Sequence, residues 1–345
     1  MDHNGRSILI IYTGGTIGML EDPAKGSLKP LDFHKIEEYI PEIRGYGYQI
    51  ESVSFDPPID SSDIDIPTWV RIAEIIEGNY HKFDGFVILH GTDTMAYSAS
   101  ALSFMLDGLS KPVIFTGAQL PIGALRTDGK ENLVTSIVIA ATKEYGKAVV
   151  PEVCIYFESK LSRGNRTIKV NAEQFNAFHS ANYPYLANAG VHLVYNRESI
   201  LQPSRFPSLK VHTKLNNQIA LLKIFPGMTG KFVDSVLEVE GLKGVVLETF
   251  GAGNAPSDTW FLRRIKKAVD KGIIILDVTQ CSQGSVEMGR YETSRNLLKA
   301  GIISGYDITT EAAITKMMVL LAQDLPDEEV KLLLNKSLKG EITLP

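Results

Sequence analysis

At 345 residues the chain is long enough for about two domains. Its 35 Lys and Arg against 40 Asp and Glu leave a formal charge of −5, so neither the basic stripe of a nucleic-acid surface nor a nucleic-acid partner is expected. With 44% hydrophobic residues, no apolar run near the roughly 18 residues of a membrane span, and two cysteines, the composition excludes a disordered chain, a spanning helix and a disulfide scaffold.

Met1 to Ser7 is polar, and the apolar run from Ile8 to Tyr12 is too short for a signal-peptide core. A soluble, cytoplasmic protein is therefore expected. That same run, ended by Gly14 and Gly15, reads as a strand buried on both faces. Trp69, Ile72, Ala73, Ile76 and Tyr80 recur at helical spacing, with Pro67 where a first helical turn tolerates it. A strand at Phe86–Leu89 runs into His90–Thr94, and a helix continues to about Leu106. A strand at Val113–Phe115, a helix over Asn132–Thr142 and a strand at Val153–Tyr156 keep up the alternation.

From Asn196 to Asn217 the periodicity fails, broken by Pro203, Pro207, Lys210 and Lys214. Beyond it, strands are expected at Ile219–Ile224, Val245–Leu247 and Ile273–Leu276. Helices are expected near Lys231–Leu237, Asp258–Val269, Glu311–Leu321 and Asp327–Leu338. Strands alternating with helices imply parallel sheets covered on both faces. The expectation is two three-layer α/β domains with mostly parallel sheets. The larger N-terminal domain takes 1–195, a linker 196–217, and the smaller C-terminal domain 218–345.

Ligands of open α/β sheets bind beyond the carboxyl ends of the strands, so chemistry is sought in the residues that follow each strand. After the first strand, Thr13-Gly14-Gly15-Thr16-Ile17-Gly18 combines glycines that allow close backbone approach with a threonine hydroxyl. The alternative is a tight turn with a structural threonine. No P-loop occurs, and the stretch Gly251–Pro256 ends in proline where a dinucleotide fingerprint needs Gly or Ala. After the strand at Phe86–Leu89, Thr92 and Asp93 stand at a helix start, as N-caps or as reactive groups. Two strand-end Gly/Thr motifs in one sheet suggest a hydroxyl nucleophile, which needs a base. His90 reads as a packed neighbour, since none of the seven histidines has metal-ligand spacing and no metal site is expected. Lys169, in the polar turn after Arg163, reads by itself as a solvated charge.

The segments Tyr12–Gly18 (YTGGTIG) and Leu89–Met95 (LHGTDTM) resemble the two signatures of the L-asparaginases. Asp60–Asp63, Leu125–Gly129, Arg163–Arg166, Gly253–Pro256 and Thr279–Cys281 are similar to segments of the bacterial type I (cytoplasmic) branch. The resemblance runs from Ile8 to Leu338, and two long signatures in the right order make it specific.

It implies an amidohydrolase that converts L-asparagine and water to L-aspartate and ammonia without metal or cofactor. Thr16 matches the attacking threonine, and Thr92, Asp93 and Lys169 match a Thr-Lys-Asp triad. Asp60 and Ser61 match the pair that grips the substrate α-amino and α-carboxylate groups, with Asp93 also on the α-ammonium. The resemblance further implies a homodimer or homotetramer, in which Asn254 is the candidate cross-subunit contact; alone, it reads as a turn residue. Two departures stand out. The loop Glu21–Pro30 lacks the usual tyrosine, with Ser27 near its place and Tyr291 a possible substitute from elsewhere. The threonine and arginine of an activator site found in some type I members are replaced by Ile168 and Glu248, while Cys281 is kept, so asparagine activation is expected to be absent or altered. The competing readings are a glutamine-preferring amidase and a non-catalytic amino-acid-binding protein. Amidotransferase subunits of this kind carry an extra N-terminal module, and with Thr16 so near the start of the sequence such a subunit is not expected.

Overall fold

The computed structural model describes residues 5–21, 28–30, 40–203, 208–289 and 292–344. Ser27, Tyr291 and most of the Glu21–Pro30 loop lie outside the described residues. The chain divides into two compact units, Met1–Thr213 and Lys214–Pro345.

In the first unit the principal strands are β1 (Ser7–Tyr12), β2 (Gln49–Ser54), β3 (Gly85–Leu89), β4 (Val113–Thr116), β5 (Val153–Phe157) and β6 (Lys160–Arg163). They are followed by β7 (Ile168–Lys169), β8 (Phe178–His179), β9 (Ala187–Ala189) and β10 (Leu193–Tyr195). The helices are α1 (Ile66–Asn79), α2 (Met95–Met105) and α3 (Gly129–Ala141). Eight strands form one sheet in the order β10-β9-β6-β5-β4-β3-β1-β2. The run from β5 to β2 is parallel, whereas β6, β9 and β10 add antiparallel pairs at one edge. The sheet is thus mixed. The short edge strands escape a reading of the sequence because two to four residues carry too little periodicity.

Strand alternation accounts for the layering. Ile8, Ile10 and Tyr12 of β1 join Leu133 and Ile137 of α3 in one core. Leu9 and Ile11, on the opposite face, are equally buried. The α1 helix starts as its sequence requires: the Asp65 carboxylate accepts from Thr68 N at 3.0 Å, and Pro67 occupies the first turn. Trp69 of α1 donates its Nε1–H to Ser98 Oγ of α2 at 2.9 Å.

The expected linker is largely part of this unit. The Arg163 guanidinium donates to Ser199 O at 2.8 Å, and the Glu152 carboxylate accepts from Leu201 N at 2.8 Å. Lys210 and Val211 pair with Asp107 and Leu106. Such pairings do not depend on apolar periodicity, so most of the expected linker belongs to this unit, while the boundary itself, between Thr213 and Lys214, falls inside the expected 196–217.

The second unit holds β11 (Ile219–Lys223), β12 (Gly244–Thr249), β13 (Ile274–Thr279) and β14 (Ile303–Ser304) in one fully parallel sheet of that order. Its helices are α4 (Gly230–Leu237), α5 (Thr259–Asp270), α6 (Glu292–Lys299), α7 (Thr310–Leu320) and α8 (Asp327–Leu334). Val233, Phe261 and Ile265 cover one face with Val245, Leu247 and Ile275. On the other face α7 lies so close that a Cβ on Gly244 would meet Met317 Sδ at 2.4 Å. The last helix stops at Leu334 rather than Leu338. There the chain turns back, the Glu341 carboxylate accepts from Leu338 N and Lys339 N at 3.0 and 2.7 Å, and it pairs with the fully buried Lys316 at 2.7 Å.

Candidate active site

In the first sheet the chain leaves β1 for β2 on one side and then crosses to β3 on the other, so the direction of winding reverses between β1 and β3. Such a reversal splays the loops beyond the carboxyl ends and opens a crevice between them. Both threonine motifs occupy that place: Thr13–Gly18 follows β1, and His90–Thr94 follows β3. The neighbouring β2 contributes the segment leading to Asp60 and Ser61.

Glycine lets these loops interlock. A Cβ on Gly14 would lie 2.0 Å from Ile59 O, and one on Gly15 would lie 2.5 Å from Gly91 N. Gly14 and Gly15 have φ of 146° and 89°, which side-chain-bearing residues rarely adopt. Thr13 N and Oγ1 both donate to Leu89 O at 3.0 Å, and Ile59 N donates to Thr13 O at 2.8 Å. The loop of Thr16 is thereby held against the loop of Thr92. Thr16 opens a short 3-10 turn, Thr16–Gly18, and is partly exposed.

Three of the candidate residues meet directly. Lys169 Nζ donates to Thr92 Oγ1 at 2.9 Å and to Asp93 Oδ1 at 2.6 Å. The lysine side chain is 16% exposed and the aspartate 64%. Lys169 is therefore a sheltered, paired cation rather than the solvated charge its local sequence suggests, presented by the β7–β8 ribbon. Neither Thr92 nor Asp93 caps the helix. The N-cap of α2 is Thr94, whose hydroxyl instead donates to Ser61 O at 2.6 Å. The first N–H groups of α2 are left without a side-chain cap beside Thr92, a place where anions are favoured.

Ser61 is buried, and its hydroxyl is close enough to Gly91 that a Cβ there would meet Oγ at 2.6 Å. Asp60 is exposed, and its Oδ1 accepts from Ser62 N at 2.9 Å and Ser62 Oγ at 2.8 Å. Those bonds, the backbone one first, hold its carboxyl below the usual range.

His90 is fully buried. Its Nδ1 lies 2.6 Å from Gly91 O and so carries the proton; Nε2 then accepts from Ser98 Oγ at 2.9 Å, and that oxygen accepts from Trp69. Burial lowers the imidazole to about 4, so it stays neutral and braces the loop before Thr92. The residue pattern anticipated a packed histidine. It offered no sign of Ser98, Trp69 or Thr94, which reach the site only through helix packing and a loop crossing.

The remaining candidates are described within their own units. Ile168 pairs with His179 in the β7–β8 ribbon. Asn254 belongs to the second unit, where its carbonyl accepts from Phe250 N at 2.9 Å. The Glu248 carboxylate accepts from Thr310 Oγ1 at 2.6 Å and pairs with Lys223 at 3.1 Å, while Cys281 is exposed. Among the described residues no cluster of three or more His, Cys, Asp or Glu is placed to hold a metal ion, and no helix is long and apolar enough to cross a membrane.

Comparison with known proteins follows this division of the chain. The N-terminal asparaginase family profile matches residues 7–201, and that of the glutaminase/asparaginase C-terminal domain matches residues 218–334. L-asparaginase 1 of Escherichia coli is 40% identical over 98% of the chain and 98% of its own length. The 60 kDa lysophospholipase of Mus musculus is 42% identical over 99% of the chain, but the chain spans only 63% of that relative's length. Among solved structures, L-asparaginase I from Vibrio cholerae superposes with a TM-score of 0.87 at 39% identity, covering 98% of this chain and 99% of that one.

Proposed function

Since the chain belongs to the asparaginase family, we propose that it is a type I, cytoplasmic member that hydrolyses the side-chain amide of L-asparagine to L-aspartate and ammonia. The observation that carries this reading is the single ammonium of Lys169 shared by Thr92 and Asp93 at 2.9 and 2.6 Å, on a loop that abuts the one bearing Thr16. A binding protein needs a cleft and clamps for the α-groups, but not a sheltered lysine shared by a threonine hydroxyl and a carboxylate.

Thr16 Oγ attacks the amide carbon, its proton passes to the departing nitrogen, and the C–N bond breaks to release ammonia. Water then adds to the β-aspartyl ester, the ester bond breaks, and Thr16 recovers a proton. Lys169 polarises the Thr92 hydroxyl, which relays a proton or orients the water. Backbone N–H groups beside Thr92 hold the oxyanion, where losing one donor costs about 3 kcal/mol. Asp60, Ser61 and Asp93 grip the α-ammonium and α-carboxylate, which selects a free amino acid over an amide within a peptide. Glutamine, one methylene longer, is disfavoured by about 1–3 kcal/mol, so weak glutaminase activity accompanies the main reaction.

The assembly is a homodimer or homotetramer in which Asn254 reaches a neighbouring site, and light scattering at working concentration tests that state. Activation by a second asparagine is absent or altered, because Glu248 presents a carboxylate already engaged by Thr310 and Lys223. Sigmoidal asparagine kinetics abolished by Cys281→Ser would overturn this point.

The function itself is tested by ammonia release with L-asparagine and L-glutamine, comparing the unaltered chain with Thr92→Val. Asparagine turnover that disappears in the variant is expected. No turnover of asparagine by the unaltered chain, or turnover preserved in Thr92→Val, refutes the reading.

A further inference from the structure

The amino ends of the same parallel strands carry a second constellation, unconnected with the threonines. Asp84 precedes β3, Lys111 lies just before β4, and Pro151 lies just before β5. Together with the hairpin of Lys143–Glu144 and Lys147–Ala148 they line a pocket of about 540 Å³. At about 3.3 Å per residue, the five-residue β3 places this pocket roughly 16 Å from the His90–Thr94 loop, at the opposite end of the sheet.

The charges in this pocket do not balance. Four cations, Lys111, Lys143, Lys147 and Arg197, face two carboxylates, Asp84 and Glu144, a surplus of +2. Both carboxylates are already engaged: Lys143 pairs with Asp84, which also accepts from Ser7 N at 2.9 Å, and Arg197 pairs with Glu144. Lys111 is only partly exposed, and its ammonium meets neutral partners. It donates to Tyr80 O and to Phe83 O, the latter at 2.6 Å, and lies 4.9 Å from the centre of the Tyr80 ring. Burial lowers its pKa, Asp84 opposes that shift, and the nearby Lys143 charge adds to it. Among the described residues no carboxylate pairs with Lys147. A cation held in a partly dry pocket beside a second cation attracts an anion. Val149, Pro151, Ile200 and Leu201 give the pocket an apolar stretch of wall, with Ser110 and Gln202 adding polar groups elsewhere in the lining. The volume falls in the range of small-molecule sites and exceeds what an inorganic ion fills.

We propose that this pocket is a second ligand site, for a small organic anion whose carboxylate or phosphate head is held by Lys111 and Lys147 and whose apolar body lies against Val149, Ile200 and Leu201. The two head groups share one chemistry. Lys143 and Arg197 keep their carboxylate partners.

Calorimetric titration of the full chain tests the site without reference to catalysis. Benzoate and phenyl phosphate are the probes, with inorganic phosphate as head alone and benzyl alcohol as body alone. Binding of benzoate or phenyl phosphate in the millimolar range or tighter is expected, at least about tenfold stronger than either fragment. Whichever of the two binds more tightly identifies the head group. Lys147→Glu, on the exposed hairpin, is expected to weaken that binding at least about tenfold. Lys111→Gln tests the inner cation but also removes bonds to two carbonyls, so the rim variant is decisive if Lys111→Gln does not fold. Three results overturn the proposal: no binding at about 10 mM probe, binding unchanged in Lys147→Glu, or displacement of the probe by L-aspartate, which would place it in the crevice of Thr16 and Thr92.

Discussion

Asp277 of β13 is fully buried, and Thr249 Oγ1 donates to its Oδ1 at 2.7 Å, but Oδ2 has no hydrogen-bond partner. It faces the turn that bears Asn254, since a Cβ on Gly253 would lie 3.3 Å from Oδ2. Burial raises its pKa from 3.8 to about 7, with the Thr249 hydroxyl opposing. The neutral acid fits the geometry: Oδ1–H donates to Thr249 Oγ1, that hydroxyl turns to Val278 O at 3.4 Å, and the unpaired Oδ2 becomes a carbonyl oxygen. The folded chain therefore keeps a proton that the unfolded chain loses near pH 3.8. Below that pH both states are protonated and the group contributes nothing. Between about pH 4 and pH 7 stability falls, and above pH 7 the penalty is constant. Three pH units at 1.36 kcal/mol each give about 4 kcal/mol, undiminished by solvent because the side chain is wholly enclosed. Asp277→Asn removes the titration while leaving unpaired amide hydrogens, a cost of about 1–3 kcal/mol that does not depend on pH. Relative to the unaltered chain, the variant should gain about 4 kcal/mol between pH 4 and pH 8. Urea unfolding followed by Trp260 fluorescence in a Trp69→Phe background reads the second unit alone. Parallel stability curves for the two proteins across that pH range would refute a protonated Asp277.

Three further outcomes follow from the geometry. Lys316→Met strands the Glu341 carboxylate in a fully buried site and removes the bond to Leu334 O, so a loss of about 3–5 kcal/mol is expected on urea unfolding; a loss under about 1 kcal/mol shows that the pair does not hold the C-terminal segment. Thr94→Val removes the bond to Ser61 O and should raise KM for asparagine about tenfold with kcat little changed, with Thr94→Ser restoring it. A fall in kcat at constant KM would show that Thr94 serves the chemical step instead. Gly14→Ala drives a Cβ into the Ile59 carbonyl at 2.0 Å, and displacement of the loop should lower turnover by about a hundredfold; a fully active variant would mean that this backbone approach does not position Thr16.

Much of the frame is legible in the residue pattern. The continuous run Ile8–Tyr12 can be buried on both faces only in a covered parallel sheet, and the helices at Trp69 and Phe261 announce their inner faces by period. The site is legible because two glycine-threonine motifs each follow a strand, and the topology places those strands side by side. Edge strands of two to four residues carry no such period, and hydrogen bonds tie residues 199–211 to the first unit without any apolar pattern.

The sequence by itself determined the elements that depend on local pattern: the buried strands, the amphipathic helices and the glycines that permit close loops. Its pattern also marked Thr16, Thr92 and Asp93 as candidates, and Lys169 entered only through the resemblance of the signature segments to the L-asparaginases. Only the tertiary structure decided that Lys169, 77 residues from Thr92, donates to its hydroxyl, and that Thr94 rather than Asp93 occupies the N-cap position, with its hydroxyl turned to Ser61 O. It alone showed that Asp277 is enclosed without a counter-charge and that four cations surround one pocket with two carboxylates. Burial and pairing depend on which distant segments pack together, so no local pattern encodes them, and they decide whether a given lysine or aspartate is solvated or held in the interior.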